Sequence, residues 1–223
     1  MSFEQKGQAS ASNFEVDPRD LTYHKQQGVI QFLNSVRVGI TGLALLSGIT
    51  ILGTSANALM VYNNTQVASD FPLALWPDEF DLRPTVALVA GSSIVILANL
   101  VSLIFSKAKI LPNAQLVHSS VAFMAPFVAF IAALVGISLF YAVNASTTVD
   151  TLQSWSCQWG YANMKVAPYF GTLCNQSEAA LYLSVILVPV EFIAMVVAGG
   201  QMGLERKAKA FVPTPKQGSP ALS

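Results

Sequence analysis

Four uninterrupted apolar stretches set the pattern of this chain, at residues 38–62, 85–106, 116–143 and 179–204. Each exceeds the roughly 20 residues that carry a helix across a bilayer core. The first three contain no Asp, Glu, Lys or Arg, and the fourth contains Glu191. Hydrocarbon offers backbone amides no water to bond, so each stretch predicts a helix that satisfies its own backbone. The expected fold is all-α, a four-helix transmembrane bundle. The chain then divides into an N-terminal segment (1–37), a four-span membrane domain (38–204) and a C-terminal tail (205–223).

The polar intervals carry weaker patterns. Residues 1–16 are rich in Ser, Gln and Ala and predict disorder. Asp17-Pro18 resembles a helix start, a capping residue followed by proline in the first turn. Val29, Phe32, Leu33 and Val36 follow at i, i+3, i+4 and i+7. That stripe suits an amphipathic helix on the inner leaflet or a cytoplasmic extension of span one, and Gly28 weakens the second. The first loop holds Phe71, Pro72, Trp76, Pro77 and Phe80, rings and prolines that suit a non-helical segment at headgroup level. Asp78, Glu79 and Asp81 lack calcium-loop spacing and read as a solvated acidic face. Pro84 suits the first turn of span two. Span three carries Pro126, and His118 lies one turn inside its cytoplasmic end.

Composition agrees with the pattern. The chain has 223 residues, 53% hydrophobic and 11% charged, against about a quarter charged in soluble domains. Its net charge is +0, so it lacks the basic footprint of a nucleic-acid binder. The first 36 residues lack an early apolar core, so span one is expected to act as the insertion signal rather than a cleaved leader.

Orientation follows from the positive residues. Lys6, Arg19, Lys25 and Arg37 precede span one. Lys107 and Lys109 lie between spans two and three, and Arg206, Lys207, Lys209 and Lys216 follow span four. The other two loops hold Arg83 and Lys165 alone. Both termini are therefore expected in the cytoplasm, in the plasma membrane or a secretory-pathway membrane. The sequons at Asn63, Asn144 and Asn175 all fall in the two loops placed outside. Asn63 and Asn144 adjoin span ends, which leaves Asn175 the better glycosylation acceptor. Arg206, Lys207 and Lys209 should favour anionic inner-leaflet lipid.

Candidate chemistry is sparse. Cys157 and Cys174 are the only cysteines and share the second outside loop, which predicts one structural disulfide closing that loop. They are far from Cys-x-x-Cys spacing, and no cation cluster activates a thiol. Glu191 sits mid-span just after Pro189, and acids at that depth face the bundle interior. It lies about 18 Å from the outer start of its span, and Asn99 lies about 21 Å from the start of span two, with Thr50 near the same level. Glu191 is therefore expected as a neutral acid bonded to Asn99 or Thr50, either as glue between helices or as a proton or substrate relay. Pro189 also frees the Val185 carbonyl, a candidate local polar pocket. Ala44-x-x-x-Gly48, Gly39, Gly42 and Gly53 in span one, and Gly199, Gly200 and Gly203 in span four, mark candidate packing faces, within the bundle or between copies. No hydrolase elbow, nucleotide-binding glycine loop or His/Cys metal spacing occurs. No catalytic, cofactor-binding or metal-ligating residue is predicted.

Four spans with cytoplasmic termini and one Cys pair in the last outside loop resemble the MARVEL-type tetraspan layout. The stretch Leu75-Trp76-Pro77-Asp78-Glu79-Phe80-Asp81-Leu82-Arg83-Pro84-Thr85, with Trp155-Ser156-Cys157 and Phe170-Gly171-Thr172-Leu173-Cys174, is similar to loops of uncharacterised fungal integral membrane proteins. The tetraspanin Cys-Cys-Gly signature and the claudin first-loop cysteines are missing. The resemblance implies a non-enzymatic protein that organises membrane microdomains or scaffolds partners. The alternative is a small transporter or channel component using Glu191. Expected partners are membrane lipids, a second copy of the chain or other membrane proteins, and no nucleic acid.

Overall fold

A computed structural model describes residues 18–66, 75–77, 79–107, 115–146, 148–161 and 167–210. Among them are five helices, α1 (Pro18–Thr65), α2 (Arg83–Lys107), α3 (Gln115–Ser146), α4 (Leu152–Gln158) and α5 (Phe170–Ala210). All but α4 contain an apolar window long enough to cross a bilayer. The chain is therefore a multi-pass membrane protein built as an all-α four-helix bundle. The long helices pack in a ring in the order α1, α2, α3, α5, with α5 returning to α1. Consequently α1 faces α3, and α2 faces α5, across the diagonals. One end of the bundle carries the connections that include β1, β2 and α4, and the other carries the start of α1 and the end of α5.

Inward positions repeat with alternating spacings of four and three. In α1 they are Arg37, Thr41, Ala44, Gly48, Ile51, Ser55, Ala58 and Tyr62; in α2, Thr85, Leu88, Ser92, Val95, Asn99 and Ser102. In α5 they are Ala180, Ser184, Leu187, Glu191, Ala194, Ala198 and Gln201. A mean spacing of about 3.5 residues is the signature of left-handed, coiled-coil-like packing. The interior mixes small and polar residues with a few large ones such as Ile51, Leu88 and Leu187, and the outer face is bulkier: Ala44 and Ala129 are 0% exposed, whereas Leu43, Leu46, Leu97 and Ile104 are each 63% exposed. Apolar side chains gain nothing by leaving lipid for one another, so close backbone approach decides which face turns inward.

The closest approach is between α2 and α3. A Cβ on Gly91 would sit 3.2 Å from the Ala132 carbonyl oxygen and 3.5 Å from the Gly136 Cα. The expected packing glycines divide. Gly48 packs against Val95 and Ile96, and Gly199 against Phe123, while Gly39, Gly42, Gly53, Gly200 and Gly203 face open space. The signal for the α2–α3 crossing was present in sequence as Ala87-x-x-x-Gly91 and Ala132-x-x-x-Gly136.

α1 and α5 outrun a membrane. Their 48 and 41 residues extend about 72 and 61 Å at helical rise. α1 passes through Gly28 unbroken, so the apolar stripe from Val29 to Val36 is an extension of span one rather than a separate surface helix. α5 likewise begins well before residue 179. The helix start expected at Asp17 and the tail beyond residue 210 lie outside the described residues.

The loop end folds into a small core of its own. Tyr62, Trp76, Leu152, Phe170 and Leu173 are buried together. Trp76 meets Tyr62, Phe80 and Phe170 edge-on at centroid distances of 5.0, 5.4 and 5.3 Å, and its Nε1 donates to Thr65 Oγ1 at 3.0 Å. Of the rings expected in a non-helical segment at headgroup level, Trp76 is buried and Phe80 half-buried in this core, and Phe71 lies outside the described residues. Two short strands, β1 (Phe80–Asp81) and β2 (Asp150–Thr151), pair in parallel and tie the two connections together. β2 leads straight into α4, whose capping box joins Thr151 and Ser154 and satisfies first-turn amides.

The acidic-face expectation fails at Asp81, which is 8% exposed. Its Oδ1 accepts from the Arg83 backbone amide at 2.9 Å and lies 3.4 Å from Arg83 Nε. An otherwise unpaired amide at the start of α2 draws that carboxylate inward. Glu79 is exposed, and Asp78 lies outside the described residues.

Candidate functional site

Glu191 is fully buried, and Asn99 is 2% exposed. Asn99 Nδ2 donates to Glu191 Oε1 at 2.6 Å and to the Val95 carbonyl at 3.0 Å. This bond spans the α2–α5 diagonal and so crosses the bundle axis. Small side chains make room for it. Counting along α1 from the Gly48–Val95 contact places Ala44 at the level of Asn99. Glu191 Oε2 is buried with no hydrogen-bond partner among the described residues. Chemically, the pair is a strut between helices, or an acid with one free oxygen able to take or give a proton.

Thr50 is not part of this site. It is exposed, and its hydroxyl donates to the Leu46 carbonyl at 3.0 Å. Neither depth nor azimuth matches: Thr50 lies about 9 Å along α1 from Ala44, which stands at the Asn99 level, and Gly48 and Ile51 hold the inward positions on either side of it. The polar pocket expected at Pro189 is also displaced. Val185 and Pro189 are exposed, and two residues along a helix turn Glu191 about 200° away.

The hydroxyls around the pair are largely self-satisfied. Ser92 donates to the Leu88 carbonyl and Ser184 to the Ala180 carbonyl, both at 2.6 Å, the back-bonding usual for Ser inside helices. Above the Glu191 layer, Ser92, Ser184, Gly91, Gly136 and Leu187 line a cavity of about 10 Å³. That volume is at the lower limit for a single water molecule.

A second polar cluster lies toward the termini. Arg37, expected on the cytoplasmic surface, is 4% exposed and interacts electrostatically with Glu205. Thr41 Oγ1 donates to the Arg37 carbonyl at 2.8 Å, and Gln201 Nε2 donates to Glu205 Oε1 at 3.1 Å. Gln201 Oε1 is buried without a partner among the described residues. Sequence reading missed Arg37 as an interior residue. Its signal was the four–three spacing running back from Ala44 through Thr41.

Cys157 and Cys174 form a disulfide with a Cα–Cα distance of 4.7 Å. It joins α4 to the first turns of α5 and closes the connection between them, as expected. Glu178 lies within 4.8 Å of the sulfurs, but disulfide sulfurs are not the thiolates a metal needs. Among the sequons, Asn175 is exposed beside that disulfide, Asn63 is exposed in the last turn of α1, and Asn144 is half-buried in the last turn of α3. His118 lies in α3, its side chain outside the described residues. Comparison of the chain with protein-family models, curated proteins and solved structures finds no significant match.

Proposed function

We propose that this chain is a non-enzymatic tetraspan protein that organises neighbouring proteins and lipids, with both termini in the cytoplasm. The observation that carries this reading is the closed interior. Glu191 is joined across the axis to Asn99 at 2.6 Å, and the cavity one layer away holds about 10 Å³, far below the 300–1,000 Å³ of typical small-ligand sites. Glu191 then acts as glue. The positive-residue bias and the resemblance to MARVEL-type layouts support the orientation and a plasma-membrane or secretory location.

The competing reading is a small transporter using Glu191, favoured by the free Oε2. The test is to remove the chain from its native cell, follow the clustering of the membrane proteins that co-purify with it, and restore it as wild type or Glu191→Gln. Dispersal reversed by both supports the scaffold. A Gln variant that reaches the membrane folded yet restores nothing favours the relay, because an amide does not titrate. Protease applied to sealed cells should cut the two long connections and spare both tails.

A further inference from the structure

The bundle carries a second, larger concavity that the Glu191 site does not use. It is a wedge of about 810 Å³ at the loop end, between the start of α2 and the end of α3. The Gly91–Gly136 crossing draws the two helices together at its narrow end. Above that crossing Ala87 and Ala90 contribute only methyl groups, so the wedge widens toward the loops. Phe80, Asp81 and Val149 close its upper part. Arg83, Val86, Ala87 and Ala90 recur at i, i+3, i+4 and i+7 and so form one helical stripe. Val86 is 49% exposed and Ala90 is exposed, so the lower wall opens sideways where the bundle meets lipid.

The rim is charged in a particular way. The Arg83 side chain is 83% exposed, and among the described residues its guanidinium is engaged only through Nε, to Asp81. Its outer nitrogens are donors in a fork suited to phosphate. Glu79 lines the same wedge and is exposed. Among the described residues that line it, the rim thus offers one cation and one carboxylate beyond the Asp81 that Arg83 already neutralises. An anionic headgroup would meet Glu79 as a like charge. A zwitterionic headgroup satisfies both, phosphate on Arg83 and ammonium toward Glu79. The apolar stripe runs about 10 Å from Arg83 to Ala90, the direction an acyl chain takes from its headgroup.

We infer that this wedge is a binding site for one zwitterionic glycerophospholipid, held by Arg83 and Glu79 at the headgroup and by Val86, Ala87 and Ala90 along an acyl chain. The inference is independent of the scaffold reading, since a transporter could hold the same lipid.

The test is native mass spectrometry of the full chain in detergent, titrated with phosphatidylethanolamine or phosphatidylglycerol of identical acyl chains. One phosphatidylethanolamine per chain is expected, bound more tightly than phosphatidylglycerol. Arg83→Gln should weaken it roughly tenfold, the scale of one charge-assisted hydrogen bond. Ala90→Phe should fill the wedge and remove the bound lipid. Glu79→Gln should narrow the preference between the two lipids. Because Arg83→Gln also removes the charge beside the buried Asp81 carboxylate, each variant is titrated well below its own lipid-free melting temperature, which separates lost binding from lost folding even if Ala90→Phe unfolds. A preference for phosphatidylglycerol, or equal lipid retention by wild type and Arg83→Gln, would overturn the assignment.

Discussion

The bundle interior and the loop-end core are packed by opposite rules. Along the spans, Ala44, Ala129, Ala180 and Ala194 are buried together with a few large residues such as Ile51, Leu88 and Leu187, while many leucines and isoleucines face outward. At the loop end, Trp76, Phe170, Leu152 and Leu173 are buried, with Asp81, Thr151 and Ser156 as buried polar residues among them. The difference is the solvent. Water at the loop end drives large apolar side chains together, as in a soluble domain. Lipid gives them no such reason, so small side chains and one polar pair hold the spans. The two regions also hold differently. The loop end is tied by a disulfide, a strand pair and long-range aromatic contacts, whereas the spans rely on backbone proximity and the Asn99–Glu191 bond.

Substitutions that reverse each rule should break this contrast. The largest effect is expected for Trp76→Ala, which empties the centre of the loop-end core and should cost about 3–5 kcal/mol. Denaturant unfolding in bicelles, followed by fluorescence of the remaining tryptophans, would check it. A cost near zero would mean that the rings rest at the interface without forming a core. Next comes Cys157→Ser, expected to cost roughly 3 kcal/mol for a loop of this length. The partner thiol, Cys174, should then become open to alkylation, while neither thiol reacts in the untreated protein.

Within the spans, Gly91→Leu tests backbone proximity. The side chain has to enter a space where the Ala132 carbonyl oxygen already lies 3.2 Å from the Cβ position. Overpacking of that kind typically costs about 1–3 kcal/mol, read as a lower midpoint in the same bicelles. Gly53→Leu, which faces open space, is the control and should be close to neutral. The smallest effects belong to the polar pair. Glu191→Leu should cost about 0.6–2 kcal/mol, the range for intramembrane hydrogen bonds, while Glu191→Gln keeps shape and bonding and should be nearly silent. A Gln variant as unstable as the Leu variant would show that the acid itself, not its hydrogen bond, holds the helices.

What the sequence made legible follows the same division. The spans were readable because twenty apolar residues have few alternatives to a membrane helix. The disulfide was readable because Cys157 and Cys174 have no other partners. Asn99 and Glu191 emerged from depth counting alone. Thr50 was misplaced because span ends read from sequence do not fix the relative depth of two helices, and because depth carries no azimuth. The spacing of small and polar residues does carry azimuth, and it would have placed Arg37 inside. The loop-end core was illegible for another reason. Tyr62, Trp76, Leu152 and Phe170 come from separate parts of the sequence, and the two-residue strands that tie the connections together are too short to leave any periodic pattern.

The diagonal bond also bears on register. A repeat of alternating four and three spacings matches itself after every seven residues, so α5 could slide by about 10 Å against its neighbours and still present small side chains inward. Ala180, Ala194 and Ala198 would accept such a slip with little penalty. Glu191 would not, because it would leave Asn99 and bring a bare carboxyl group opposite an apolar wall. The diagonal hydrogen bond thus fixes mid-membrane the same alignment that Phe170, Leu173 and the Cys174 disulfide fix at the loop end, much as one buried asparagine sets the alignment of a coiled coil.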